Sequence, residues 1–455
     1  MKKFLAVFIP LAVVAAAVGF LVSRKGADPV SPQITIQFTC DTAGRLEPCG
    51  CFTGQHGGLT RLRTFLEAGK HTGDVLRLDI GGAIGGKEDY HIIQYKYLAR
   101  AYATMGYTAL NMGGREAMLS PETLTHFASS SPVPLISASL VDTDSREEIL
   151  TPYRIVEAGG KRIGIIGVVS PLSVPTPGKG VTILALNEAI DRQLKVLSGK
   201  TDLNILLAFA TVNELEQLAH DYFEFALILG GDVPGPSQEI VRENDSIILY
   251  TTNQSRTVGT LKATLAGEKR TRLTKASYDI NLLWDTIPQN EPLRAMVGDY
   301  RSEIRSTPLA IDDPDAHDPD AIPGVTGSAT YVGSSSCKQC HAEAHGIWEK
   351  SGHAHAFETL VKIGADADPN CIGCHTVGFG KQSGYRRPLG LETLTDVGCE
   401  SCHGPASEHL DRHLHGKDVT FKFRPLGSGD CQSCHYGEFS RPFVWETFWP
   451  GISHK

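Results

Sequence analysis

The sequence predicts two architectures in one chain: an α/β body, followed by a smaller, mainly helical segment organised by a repeated cysteine motif. Three observations carry this expectation. Short runs rich in Val, Ile and Leu alternate with amphipathic stretches through the first two thirds of the 455 residues. A Pro- and Asp-rich junction then interrupts the pattern at residues 306–329. Beyond it the pattern Cys-x-x-Cys-His occurs four times within residues 330–455.

The apolar runs are ITIQFTC, DVLRLDIGG, YTALNMG, VPLISASL, RIGIIGVVS, LNILLAFA and FALILGG, each short enough for a buried strand and several closed by glycine. Between them lie helical patterns such as GGLTRLRTFLEAG, YHIIQYKYLARAYATMG, LNEAIDRQLKVLSG and VNELEQLAHDYF. Strands alternating with helices imply sheets covered by helices, with chemistry gathered at the carboxyl ends of strands. The expected divisions are residues 1–30 as a signal sequence or membrane anchor, 31–305 as the α/β head, 306–329 as an exposed linker, and 330–455 as the cysteine-motif domain.

The N-terminus carries Lys2 and Lys3, an uncharged and mostly apolar stretch from Phe4 to Val22, then Arg24 and Lys25. The stretch approaches the ~20 residues that cross a bilayer, and Ala15 to Ala17 make a weak cleavage site, so an uncleaved anchor is favoured over a removed signal peptide. The remainder is therefore expected to be periplasmic or otherwise extracytoplasmic, held at the inner membrane. A formal net charge of −8 and the lack of any basic run exclude nucleic acid as a partner.

Eight of the eleven cysteines form the pairs Cys337/Cys340, Cys371/Cys374, Cys399/Cys402 and Cys431/Cys434, each followed at once by a histidine: His341, His375, His403 and His435. Two thiols three positions apart can both add to the vinyl groups of one haem, and the adjoining histidine then reaches the iron. Zinc ribbons and thioredoxin-like dithiols share Cys-x-x-Cys, but neither requires the histidine in every copy. Four covalent c-type haems are the expectation, packed so closely that the porphyrins replace much of an ordinary core. Candidates for the distal side of the irons are His345, His353, His355, His409, His413, His415 and His454. Two histidines per iron suit electron transfer, whereas an open position suits small-molecule chemistry.

The run YVGSSSCKQCHAEAHGIWEKSGHAHAFETL, with CIGCHTVGFG and GCESCHGPASEHL after it, resembles the cytochrome c-554-like tetrahaem family over roughly residues 330–440. That resemblance implies His353 and His409 as preferred distal ligands, with His355, His413 and His415 behind them. The head shows a second resemblance. CDTAGRLEP with GGLTRL, then RLDIGG, GYTALNMGGREAM, ISASL, GGKRIGIIGVVSP, LLAFAT and LILGGDVPG follow the motif order of calcineurin-like metallophosphoesterases of the 5′-nucleotidase branch.

The ligands of that family's two-metal site do not follow. Asp41 is kept, but Ala43, Gly82, Gly114, Arg115, Phe209 and Pro234 stand at ligand positions, with Asp232 as a candidate remnant. Two metal ions held close together need several oxygen and imidazole ligands, so hydrolysis of phosphate esters is disfavoured and a head metal is at most a remnant. The remaining thiols, Cys40, Cys49 and Cys51, lie near this cleft with His56. A structural disulfide with a leftover thiol, a redox-active pair and a soft-metal site are three readings of them. In the junction, Asp312, Asp313, Asp315, Asp318 and Asp320 read as a solvated acidic linker rather than a calcium loop.

The expected function is electron transfer through four haems with redox proteins as partners, either other cytochromes or quinone-linked donors. The alternatives are a thiol-coupled oxidoreductase using the head cysteines, and an active metal-dependent phosphoesterase carrying an electron-transfer domain.

Overall fold

The computed structural model describes residues 32–48, 56–252, 254–267, 270–313, 329–387, 392–416, 425–436 and 442–454. The expected anchor at residues 4–22, Cys49, Cys51 and most of the acidic junction lie outside these. Among the described residues no helix is long and apolar enough to cross a membrane.

The head is built on two six-stranded sheets. One contains β1 (Gln33–Thr39), β2 (Asp74–Asp79), β3 (Ala109–Asn111), β4 (Leu135–Ile136), β13 (Thr257–Ala266) and β14 (Arg272–Leu282), in the order β14-β13-β1-β2-β3-β4. The other contains β6 (Tyr153–Ala158), β7 (Lys161–Val169), β9 (Leu203–Phe209), β10 (Phe225–Gly231), β11 (Val241–Glu243) and β12 (Ser246–Tyr250), in the order β11-β12-β10-β9-β7-β6. A short pair, β5 (Leu140–Asp142) and β8 (Val181–Ile183), stands apart. Strands β1 to β4 run parallel, as do β7, β9, β10 and β12. Parallel neighbours need crossovers, supplied by α1 (Leu59–Ala68), α2 (Asp89–Thr104), α3 (Pro121–Ser130) and α5 (Val212–Asp221), with α4 (Leu186–Leu197) between β8 and β9.

Strand alternation decides which core each residue enters. Ile163, Ile165, Ile205, Leu207, Leu227 and Leu229 face the first sheet and join Ile36 and Leu78 in one core between the sheets. Their neighbours Ile166, Val168, Leu206, Ala208 and Ile228 point the other way, into a second core beneath α4 and α5 that includes Ile190, Leu215 and Leu218. Burial on both faces is why these strands are continuous apolar runs instead of alternating ones. Helix starts are fixed locally. Ser120 accepts from the Thr123 amide, Asn290 accepts from the Leu293 amide, and the Glu214 carboxylate accepts from the amide and hydroxyl of Thr211.

The C-terminal part is made of short helices: α7 (Ala342–Glu349), α8 (Ala356–Ile363), α9 (Pro369–His375), α10 (Cys399–His403), α11 (Ser407–Leu414), α12 (Ser428–Cys431) and α13 (Trp445–Phe448), after α6 (Glu291–Ser306) of the head. Among the described residues its apolar cluster of buried residues is small: Leu360, Ala365, Ile372, Val377, Tyr385 and Leu394. So little hydrocarbon does not hold a domain together unaided.

Helix α6 joins the two parts. It packs against α1 and α2 and presents Arg301 and Arg305 to the segment between α8 and α9. Arg301 donates to the carbonyl of Ile363 at 2.8 Å, and Arg305 pairs with Asp366. The junction is correspondingly less free than an exposed linker at its start. Asp312 receives both Nε and Nη2 of Arg387, at 2.9 and 2.8 Å, while the remainder of the acidic run lies outside the described residues.

Candidate functional site

The carboxyl ends of β1, β2, β3 and β10 meet at one end of the head, and the backbone there is contorted. Asp41, Ala43 and Asp232 all have positive φ, at 55°, 49° and 61°, a conformation that costs non-glycine residues energy and is found where tight loops aim side chains. The loop after β1 lies against the loop after β2 through hydrogen bonds from the amides of Asp41 to Gly81 and of Ala43 to Gly82, at 2.7 and 2.9 Å.

Arg115 fills the centre. Its Nη2 pairs with the Asp41 carboxylate and donates to the Gly82 carbonyl at 2.7 Å, while Nε donates to the Ile84 carbonyl at 2.7 Å. Glu116, fully buried, accepts from the amides of Gly82, Ile84 and Gly113 at 3.1, 2.8 and 3.0 Å. Asn111 ties the two sheets together, its Nδ2 reaching the carbonyls of Ile80 and Val168, both at 2.9 Å. Asp79 accepts from Thr39, Tyr102 and the Gly81 amide, at 2.7, 3.1 and 3.0 Å. Burial nevertheless dominates and raises its carboxyl to about 7.

These residues do not fit a pair of metal ions. Asp41 is neutralised by a guanidinium, and Asp232 accepts from Ser173 Oγ at 2.6 Å. Among the described residues no group of three or more His, Cys, Asp or Glu side chains could hold a metal.

Cys40 departs from the sequence expectation of a thiol at the cleft rim. It is buried, donates to the Gly81 carbonyl at 3.4 Å, and its thiol is pushed well above the ordinary range by burial and then by the carboxylate of Asp41. A thiol held protonated in the core is a poor nucleophile. The signal lies in the alternation: Ile34, Ile36, Phe38 and Cys40 share one strand face and all belong to the inter-sheet core. His56 packs edge-on against Trp284, with ring centroids 4.8 Å apart.

In the C-terminal part each of three motif histidines faces a second imidazole. Ring centroids are 6.0 Å apart for His341 and His409, 6.0 Å for His353 and His435, and 5.8 Å for His403 and His454. Metal–imidazole bonds of about 2 Å put a shared ion roughly 3 Å from each ring centre, so a pair bound to one iron stands about 6 Å apart. The donor set and spacing therefore fit haem iron. The fourth motif histidine differs. His375 is oriented by a 2.7 Å contact between Nδ1 and the carbonyl of Ala356, and among the described residues no ring contact joins it to a second imidazole. Thiols of different motifs also meet, Cys337 with Cys399 and Cys374 with Cys434.

Of the sequence candidates, His353 and His409 stand opposite motif histidines. His413 lies against His409 at 4.5 Å, His415 pairs with Asp411 at 2.8 Å, and His355 occupies the N-cap position of α8 without a side-chain capping bond. His345 is buried against Trp348. His454 is one of seven candidates and has no motif around it, so only the fold distinguishes it. Glu400, an unspecified position within the third motif, is buried and accepts from the amides of Val332, Gly333 and Ala406 at 3.0, 2.7 and 2.8 Å. It pins the approach to the first motif onto the third.

Comparison with known proteins agrees with this division. Residues 336–404 match the family model described as cytochrome c554 and c-prime. Cytochrome c-554 of Nitrosomonas europaea is 35% identical in a 104-residue alignment that covers 20% of this chain and 44% of that protein. The chain thus spans less than half the length of this curated relative. The head resembles the solved 5′-nucleotidase precursor from Thermus thermophilus, with a TM-score of 0.51 and 22% identity over 60% of this chain and 59% of that one. It also resembles the calcineurin-like phosphoesterase YfkN from Bacillus subtilis, with a TM-score of 0.51 and 15% identity over 60% of this chain and 98% of that one. The head has the fold of these phosphoesterases, and part of the helical C-terminal segment is similar to cytochrome c-554.

Proposed function

We propose that this protein is an extracytoplasmic electron carrier with four c-type haems, joined to a phosphoesterase-fold head that no longer hydrolyses phosphate esters. The observation that carries the reading is the three imidazole pairs at 5.8–6.0 Å, each containing one motif histidine. Cys337 with Cys340, Cys371 with Cys374, Cys399 with Cys402, and Cys431 with Cys434 hold the porphyrins, and His341, His375, His403 and His435 ligate their irons. His409, His353 and His454 complete three of the four.

The haems supply reversible one-electron chemistry. In three cases a motif histidine and a second imidazole of this chain would hold the iron between them, an arrangement suited to electron transfer. The contact of His375 Nδ1 with the Ala356 carbonyl would leave Nε2 for the metal. The thiol contacts between first and third motifs, and between second and fourth, support two pairs of neighbouring haems. Redox proteins are the partners. In the head, the guanidinium of Arg115 already neutralises Asp41, which supports a hydrolytically silent cleft.

A pyridine haemochrome assay on mature protein, paired with electron paramagnetic resonance, tests the reading. Four haems per chain are expected, three low-spin and one high-spin. Two or fewer haems from a host with complete maturation machinery would sink the proposal.

A further inference from the structure

His375, the motif histidine for which the described residues show no ring contact with a second imidazole, also ends the helix that is held against the head. The segment between α8 and α9 runs directly into Cys371, and head side chains grip it along its length. Arg301 holds the Ile363 carbonyl, Arg305 holds Asp366, and Tyr300 approaches Asp368, the residue that caps α9. His91 of α2 lies beside the side chain of Asn370, the residue next to Cys371. His91 is itself backed by the cleft, because a Cβ on Gly85 or Gly86 would lie 2.7 Å from its ring.

Arg387 locks the arrangement. Beyond its two bonds to Asp312, it donates to the carbonyls of Ile304 at 2.8 Å, Ala367 at 2.9 Å and Thr307 at 2.9 Å, with its side chain 1% exposed. One guanidinium thus joins the end of α6, the start of the junction and the turn before α9. A buried arginine with its donors satisfied at fixed positions does not tolerate sliding of these segments.

We propose that the head is a permanently docked positioning element for the second haem: through Arg387, Arg301, Arg305 and His91 it fixes α9, and thereby sets how that one haem admits a small neutral ligand. This rests on the reading of His375 as the axial ligand of a haem open on its other side. The other three haems, closed by His409, His353 and His454, have no such need of the head.

The test uses full-length holoprotein carrying a protease site within residues 314–328, cut after folding. The two halves are expected to co-elute on gel filtration at physiological salt, and to part when Arg387→Gln, or Arg301→Ala with Arg305→Ala, is added. The double substitution serves where Arg387→Gln fails to mature. On parting, the rate of carbon monoxide binding to the ferrous protein should change severalfold, while the low-spin bands of the other haems stay in place. Halves that separate from the otherwise unsubstituted chain as soon as it is cut overturn the docking. Undocking that leaves carbon monoxide kinetics and the high-spin signal unchanged overturns the positioning role. Failure of any haem to bind carbon monoxide before cutting defeats the open-haem reading, and with it the positioning role, while co-elution still decides the docking.

Discussion

The head cleft and the haem segment treat their polar residues in opposite ways. In the cleft, charge and hydrogen-bonding capacity are met from within: Arg115 pairs with Asp41, Glu116 takes three amides, and Asp232 takes Ser173. In the haem segment, imidazoles stand about 6 Å apart in pairs, too far to hydrogen-bond each other and correctly spaced for a shared metal. The cleft is satisfied from within, whereas the paired imidazoles keep their nitrogens available for a shared ligand.

The largest consequence of this contrast concerns folding. The head has two extensive cores and the C-terminal part a cluster of six buried apolar residues. Preventing haem attachment should leave the head folded and the C-terminal part unprotected in hydrogen exchange read by mass spectrometry. Equal protection in both would break the comparison.

Substituting the distal rings sharpens it next. His353→Ala, His409→Ala and His454→Ala should each convert one low-spin haem to high-spin in the electron paramagnetic resonance spectrum, without loss of covalent haem. His355→Ala, His413→Ala and His415→Ala should not.

In the cleft the effects are on stability. Arg115→Ala leaves Asp41 without its cation at a site about a third exposed, and should cost the head about 2 kcal/mol in urea unfolding. It should not restore hydrolysis, because Ala43, Gly82 and Gly114 still supply no ligand.

A smaller effect is expected from Asp79. Its carboxyl is raised to about 7 from an ordinary value of 3.8, so between these values the folded head binds a proton that the unfolded chain has released. Its contribution therefore stabilises the head most below about pH 4 and is lost as pH rises towards 7, at up to ~1.4 kcal/mol per pH unit. Asp79→Asn should flatten that slope in urea midpoints measured across the window.

Smallest is the chemical test of Cys40. Native protein should resist alkylation at this buried thiol, and unfolded protein should not, as mapped by peptide mass spectrometry.

Much of this is legible in the chain. The runs that form β7, β9 and β10 are readable because both faces of each strand are buried, and the haem attachment motif is local in sequence. That Ala43, Gly82 and Gly114 offer no metal-binding side chain is also visible. The pairing of Arg115 with Asp41 is not, since the two meet across 74 positions and neither sits in a pattern that names the other. His454 lacks any flanking motif for the same reason: only the path of the chain brings it to His403. Sequence adjacency to Asp41 draws Cys40 to the rim, although strand alternation turns the two side chains to different sides. The docking is least legible, because three of the groups that Arg387 grips are backbone carbonyls, which every residue possesses.

That arginine has a kinetic meaning as well. Its partners at Ile304, Thr307, Asp312 and Ala367 must all be in place before its bonds can form. A contact that needs the finished head and the finished turn before α9 is expected to form in the last stage of assembly, after the folding transition state. Such late contacts slow escape from the native state while leaving the rate of reaching it nearly unchanged. Arg387 thus acts as a latch on the lifetime of the assembled molecule.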